Sequence, residues 1–266
     1  MKIFQEVWPT AEARGTVVIV HGAGEYFARY HWLARELNQA GYSVIGGDLP
    51  GLGRSGGKRG HIQRFEDYYK ALDQWLQTAF QGKRPLFLLG HSMGGLIVIR
   101  YMQEKKPDVE GVILSSPCLE LARNIHPVLA AVASLFDVCL PSLTLSAGIA
   151  AGDVSRDRTI AERYGNDSYI TKRVSVRWYK QLVRAMRFAR LQQNEYPGVR
   201  TLIMQAGADR IVNAAATRKW SQALPISDKQ YWEWEGLYHE IFNEPEKEEI
   251  ARFMLDWMDQ IKHRQH

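Results

Sequence analysis

A chain of 266 residues, 45% hydrophobic and 24% charged, suits one α/β domain with a large core. Its two cysteines, Cys118 and Cys139, have neither metal nor redox spacing, which excludes a disulfide framework and reads as buried free thiols in a reducing cytosol. No window reaches the roughly 18 apolar residues of a membrane span, and the opening MKIFQEVWPT has no apolar signal-peptide core, so a cytoplasmic location is expected. The net charge of +5 is concentrated in 118–197, where eleven Arg/Lys face seven Asp/Glu. That balance suggests a face for anionic lipid or acidic substrate, or else a solvated Arg-rich helical surface. No nucleic-acid-binding motif accompanies it, so nucleic acid is not an expected partner.

In chain order, residues 2–8 read as an edge strand. Thr16-Val17-Val18-Ile19-Val20 reads as a buried strand that runs into His21-Gly22-Ala23-Gly24-Glu25. Trp32, Leu33, Leu37 and Ala40 form the apolar face of a helix over 30–40, and Gly41 suits the position that ends it. Tyr42-Ser43-Val44-Ile45 is the next strand. The run from Asp48 to Gly57 is too rich in Gly, Pro and Ser to be anything but a loop. Tyr68, Tyr69, Leu72, Trp75, Leu76 and Ala79 recur at helical spacing and predict a helix over 65–80. Leu86-Phe87-Leu88-Leu89 has the unbroken apolar character of a doubly covered parallel strand, and Val112-Ile113-Leu114 gives another.

Strands and helices alternate with short links up to this point, the pattern of a parallel α/β sheet. From Cys118 the alternation stops: helical patterns dominate 118–197 and no buried strand stands out. The pattern resumes with a strand over 201–206, a helix over 214–223, a strand over 230–234 and a last helix over 245–261, with Pro245 at its first position. The interruption predicts a helical cap, inserted at one sheet edge after the sixth strand, above the strand C-termini where such sheets bind ligands. The expected division is a core of 1–117 and 198–266 and a cap of 118–197.

The chemistry is concentrated in Gly90-His91-Ser92-Met93-Gly94, between an apolar strand and the helical run from Gly95 to Met102. A serine on a tight strand-to-helix turn, with glycines two before and two after, is a nucleophile elbow. The serine must take a strained backbone conformation to expose its hydroxyl, and the glycines let neighbouring backbone approach. A serine hydroxyl also needs a base, and the base needs an orienting carboxylate. With an elbow, the partners follow in the order acid, then histidine. Asp209 follows the 201–206 strand and His239 follows the 230–234 strand, so Ser92, Asp209 and His239 are the expected triad. The other histidines after Ser92 are His126, His263 and His266, none after a core strand. Glu120 is the alternative acid. The oxyanion of a tetrahedral intermediate needs two backbone N–H donors, expected from Met93 and Ala23. His21 and Glu25 are read as braces of the Ala23 loop, and Asp48 as the brace of the glycine-rich loop. His91 is read as structural, its side chain pointing away from Ser92.

His21-Gly22-Ala23-Gly24-Glu25, Asp48-Leu49-Pro50-Gly51-Leu52-Gly53-Arg54-Ser55, the Ser92 elbow, Ala206-Gly207-Ala208-Asp209 and Tyr238-His239-Glu240 together resemble the monoacylglycerol lipase and lysophospholipase group of α/β-hydrolases. Ser115-Ser116-Pro117-Cys118, Val174-Ser175-Val176-Arg177-Trp178-Tyr179 and the run from Trp234 to Glu244 make the chain similar to the bacillar phospholipases of that group. The resemblance spans nearly the whole chain. It departs at Leu52, where many relatives carry histidine. It implies the α/β-hydrolase fold, a mostly parallel sheet covered by helices on both faces, and the same triad and oxyanion donors. It also implies that no metal or organic cofactor is needed.

Residues 128–140 are apolar on nearly every side, so Val128, Val132, Leu135 and Phe136 are candidates for an acyl-chain pocket, or else for plain cap core. Trp178, Leu182, Ala185, Met186 and Ala189 share one helical face, with Lys180, Arg184 and Arg187 on others. That pattern suits peripheral contact with an anionic membrane, or a helix docked on the cap. The sequence-level expectation is a serine ester hydrolase of single-acyl lipids, a lysophospholipid first and a monoacylglycerol or broader carboxylic ester second. An amide or peptide hydrolase and a non-catalytic lipid-binding protein are the competing classes. No oligomeric state follows from the sequence.

Overall fold

The computed structural model describes residues 1–82, 85–123 and 136–260. Its strands are β1 (Phe4–Trp8), β2 (Gly15–Val20), β3 (Tyr42–Asp48), β4 (Leu86–His91), β5 (Gly111–Ser115), β6 (Thr144–Ser146), β7 (Arg173–Ser175), β8 (Arg200–Ala206) and β9 (Lys229–Trp234). Seven of them form one sheet in the order β1-β3-β2-β4-β5-β8-β9. Only β1, an edge strand, runs antiparallel to its neighbour. The helices are α1 (His31–Gln39), α2 (Tyr69–Phe80), α3 (Met93–Lys105), α4 (Ala151–Val154), α5 (Arg158–Asn166), α6 (Val176–Leu191), α7 (Ala214–Ala223) and α8 (Lys247–Asp259).

β2, β4 and β5 are buried at every residue because both faces of the sheet are covered. Alternate side chains divide between two cores. Val18, Val20, Leu88, Val112, Leu114 and Ile203 pack with α2, α3, α6 and α7. Val17, Ile19, Phe87, Leu89, Ile113, Leu202 and Met204 pack with α1 and α8 on the other face. Each such buried Leu, Ile or Val stabilises the fold by about 1.5–3 kcal/mol before conformational entropy is subtracted. α5, α6 and α7 are capped at their N-termini by Asp157, Ser175 and Asn213, whose side chains accept from first-turn N–H groups.

Several sequence expectations change. The 118–197 segment leaves after the fifth strand of this chain, not the sixth. It enters between β5 and β8, which pair with each other inside the sheet, and not at a sheet edge. It is not wholly helical, since β6 and β7 form a short antiparallel pair within it. Strands of three residues carry too little alternation to be read from sequence. The 65–80 helix begins as a 3₁₀ turn over Phe65–Tyr68. Pro245 lies just outside α8, whose N-cap is Glu246. Cys118 is buried but Cys139 is exposed.

All the parallel strands deliver their following loops to one edge of the sheet. β2 leads to His21, β4 to Ser92, β8 to Gly207 and β9 to Glu235. α3 is drawn tightly across β2: a methyl on Gly94 would lie 2.0 Å from the Val20 carbonyl oxygen. Gly94→Ala is therefore expected to cost about 3 kcal/mol in urea unfolding and to lower esterase activity. An unchanged unfolding midpoint would show that this close approach is not required.

Candidate active site

Ser92 stands between β4 and α3 with φ +54° and ψ −119°, a conformation few L-residues adopt. Such a backbone costs of the order of 1–3 kcal/mol and persists only where neighbours over-determine it. They do so here: the Ser92 N–H donates to the Ser115 carbonyl at 2.9 Å, and the Ser92 carbonyl accepts from Leu96 and Cys118 N–H groups at 3.1 and 2.9 Å. Gly90 lets the turn close, because a methyl there would come 2.6 Å from the Gly94 carbonyl oxygen.

The three expected residues meet. Ser92 Oγ lies 2.7 Å from His239 Nε2, and His239 Nδ1 lies 2.7 Å from Asp209 Oδ2. The ionised carboxylate can only accept, so Nδ1 carries the proton and Nε2 is left to accept from the Ser92 hydroxyl. The Asp209 Oδ1 accepts from the N–H groups of Ile211 and Val212 at 2.8 and 2.9 Å. Burial opposes ionisation of Asp209, but the neighbouring His239 and these hydrogen bonds hold it below the usual carboxylate range. Burial likewise opposes the charged form of His239, yet Asp209, followed by Glu240 and Glu25, raises it above the ordinary imidazole value.

Gln205 is a residue the sequence reading passed over. Its Nε2 donates to Asp209 Oδ2 at 3.2 Å from within β8, so it helps to set the carboxylate. The signal was a lone amide in the otherwise apolar end of Thr201-Leu202-Ile203-Met204-Gln205-Ala206. His91 departs from expectation. It does not point away from the site: its ring centroid is 4.8 Å from that of His239, and it lines the same pocket as Ser92. Burial, with the adjacent His239, pushes its pKa down to about 3, so it packs as a neutral ring.

The bracing roles are visible. The Leu49 N–H donates to His21 Nε2 at 2.9 Å, which leaves the proton on Nδ1, 2.9 Å from the Gly22 carbonyl. Glu25 accepts the Gly22 N–H. Asp48 accepts from the N–H groups of Phe27 and Arg54. Ala23 borders Ser92, and Met93 is the first residue of α3, whose N–H has no intrahelical acceptor. Glu120 pairs with Arg190 and Asn213, away from His239.

The cavity at Ser92 measures about 10 Å³, room for roughly one water. Its apolar wall is Ile149, Val154, Tyr164 and Ile211, none of them predicted from sequence. Three come from short or irregular stretches with no periodic signature. Of the predicted acyl-pocket residues, Val128, Val132 and Leu135 lie outside the described residues, as do His126, His263 and His266; Phe136 is half-buried. The apolar face of α6 is packed inward, where Trp178 Nε1 donates to the Tyr68 hydroxyl at 2.7 Å. That is the docked-helix alternative, not a membrane-facing one. Among the described residues, no three His, Cys, Asp or Glu side chains converge to hold a metal ion, and no helix is long and apolar enough to cross a membrane.

A doubly covered sheet with this elbow and relay has the architecture of the α/β-hydrolases. The chain belongs to the family described as "Serine aminopeptidase, S33", whose model matches residues 11–246. Among its relatives it is 40% identical to phospholipase YtpA of Bacillus subtilis, over 95% of this chain and 98% of the other. It is 29% identical to a monoacylglycerol lipase of Mycolicibacterium smegmatis, over 97% and 93%. The crystal structure of a Paleococcus ferrophilus monoacylglycerol lipase superposes with a TM-score of 0.90 at 33% identity, covering 98% of this chain and all of that one.

In an NMR titration, His239 should protonate above the ordinary imidazole value while His91 stays neutral throughout the folded range. Asp209→Asn removes the principal charge that favours imidazolium, so it should move the His239 midpoint to lower pH. A wild-type His239 that titrates at or below the ordinary value would contradict this charge pattern.

Proposed function

We propose that the chain is a serine ester hydrolase that releases the fatty acid from single-acyl lipids, a lysophospholipid first and a monoacylglycerol second. The observation that carries this reading is the closed relay from Ser92 through His239 to Asp209, with 2.7 Å at both links. Ser92 Oγ attacks the ester carbonyl while His239 Nε2 takes its proton. The N–H groups of Ala23 and Met93 hold the oxyanion. Collapse expels the glycerol-bearing alcohol, which takes the proton back from His239, and leaves the acyl group on Ser92. Water then attacks the acyl-enzyme by the same route, releasing the fatty acid and restoring the serine. Asp209 keeps the imidazole tautomer and stabilises its charged form.

In this reading 118–197 is a cap over a core of 1–117 and 198–266. Ile149, Val154 and Tyr164 support it, since they reach the wall of the Ser92 cavity from that segment. Val128, Val132, Leu135 and Phe136 remain the proposed acyl-chain contacts. Names of relatives favour lipid esters: phospholipase and monoacylglycerol lipase are what those proteins are called. An amine-bearing peptide would need a carboxylate near Ser92 to hold its ammonium. Glu25 and Glu240 line the cavity, but Arg29 already engages both. A non-catalytic lipid binder would need a missing triad member, and Ser92, Asp209 and His239 are all present.

Peripheral contact with an anionic membrane would use the 138–145 stretch, since the apolar face of α6 is packed inward. Val138, Leu140, Leu143 and Leu145 are exposed, Val138 by 79%. Arg173 reaches the same strand pair, donating to Thr144. Apolar side chains beside a cation suit an anionic interface. Sedimentation with vesicles should show more binding to anionic than to neutral lipid; equal and negligible binding to both would remove this part.

Ser92→Ala should abolish turnover of a short activated ester and labelling by a fluorophosphonate. Near wild-type activity in that variant would refute the assignment. At matched chain length, fatty-acid release should be faster from lysophosphatidyl lipids than from monoacylglycerols. The opposite order would make the chain a monoacylglycerol lipase.

A further inference from the structure

Behind the Ser92 cavity lies a buried ion cluster that the steps above do not use. Arg29 sits in the 3₁₀ turn Phe27–Tyr30, its side chain only 10% exposed, between two buried carboxylates. Its Nε donates to Glu25 Oε2 at 3.1 Å, and its Nη2 donates to Glu240 Oε2. Glu25 Oε1 accepts the Gly22 N–H at 2.5 Å and the Tyr30 hydroxyl at 2.6 Å. Glu240 Oε2 also accepts from Asn243 Nδ2 at 2.8 Å, and the Glu240 N–H donates to the Val154 carbonyl at 2.8 Å. The guanidinium carbon lies 5.0 Å from the Tyr164 ring centroid.

Four of these contacts reach the active site or a residue next to it. Gly22 precedes Ala23, an expected oxyanion donor, and Glu240 follows His239. Val154 and Tyr164 are walls of the cavity. The chemistry of the central group matters. A guanidinium is a planar fork whose Nε and terminal nitrogens serve two carboxylates at fixed angles, whereas an ammonium is a point charge on a flexible stem. Buried ion pairs add little net stability, because desolvation offsets most of the attraction. A cluster of two carboxylates and one cation is therefore poorly accounted for as a stabilising device, and better as a means of holding geometry.

We propose that Arg29 is a positioning residue which, through Glu25 and Glu240, locks the loop carrying Ala23 to the loop carrying His239. The oxyanion donor and the base thereby keep their separation. The inference rests on the reading of Ser92 as the nucleophile. Burial raises both carboxylates; at Glu25 the basic side chains around it, His91 and Arg29 first, outweigh it and hold the group below the usual range, whereas at Glu240 burial with the nearby Glu25 prevails over Arg29 and leaves it above, so the cluster is asymmetric. Arg29 touches no reacting atom, and its effect passes through the two loops.

The test compares wild type, Arg29→Lys and the double variant Arg29→Gln/Glu240→Gln on a short activated ester that makes no demand on head group. The double variant removes one charge of each sign but leaves Glu25 with only neutral donors, the Gly22 N–H and the Tyr30 hydroxyl, so both variants are compared below their measured thermal midpoints. Active sites are counted by fluorophosphonate titration, which corrects for any unfolded fraction. Displacing the donor from the base should lower kcat per titrated site by roughly 10- to 100-fold, with KM within about threefold. The rate constant for phosphonylation should fall in parallel, since it uses the same serine, base and donors. A purely structural role would lower the thermal midpoint and leave kcat per titrated site unchanged. Folded variants with kcat per site within about twofold of wild type overturn the proposal. A wild type that neither labels nor turns over overturns the reading of Ser92 and this inference with it.

Discussion

The backbone of Ser92 is the constraint on which the rest of the site depends. A positive φ at a residue with a side chain is unfavourable by itself, so the chain must hold it there. It is held by a hydrogen bond to the Ser115 carbonyl on the neighbouring strand and by two N–H groups that converge on its own carbonyl. Two glycines that admit backbone where a methyl would collide complete the turn. Once this peptide is set, the hydroxyl, the first N–H groups of α3 and the end of β2 occupy one small volume. The strain at Ser92 is offset by burial elsewhere in β2, β4 and β5, every residue of which is buried.

Charge is arranged around that volume with little help from solvent. Asp209 and His239 favour each other's ionised forms against the cost of burial. His91 contributes a ring that stays neutral beside them, so a second imidazolium does not compete. Farther back, Arg29 compensates Glu25 and Glu240, which would otherwise leave two carboxylates facing a cavity meant for an ester. The same cluster adds negative potential behind His239, in the direction that favours the imidazolium formed during attack.

Much of this was legible in the residues. The triad followed from the elbow and the order of strands, because β4 and β8 announce themselves by apolar runs, β9 is a short strand rich in aromatic residues, and each is followed by a loop with a reactive side chain. The positions of Asp48, His21 and Glu25 as braces were also readable, since they sit in loops whose glycines demand a partner. His91 was misread because the direction of a side chain on a strained turn depends on what fills the space beside it, here the ring of His239. The apolar wall was missed for another reason: Ile149 and Val154 lie in stretches too short to show any period. Gln205 left a faint signal, a single amide in an apolar strand, and its partner four residues on became evident only from the geometry.

What the sequence determined by itself was the class of chemistry and the layered fold. Those depend on short-range rules: glycine spacing around a serine, unbroken apolar runs for doubly covered strands, and helical periodicity between them. What only the tertiary structure decided was how separate loops register against one another. Arg29 and Glu240 are 211 residues apart, and no local pattern relates them. Their contact exists because β2 and β9 are parallel strands of one sheet whose following loops leave at the same edge. Distances of that kind are set by strand register and packing across the whole domain, which no local stretch of chain encodes.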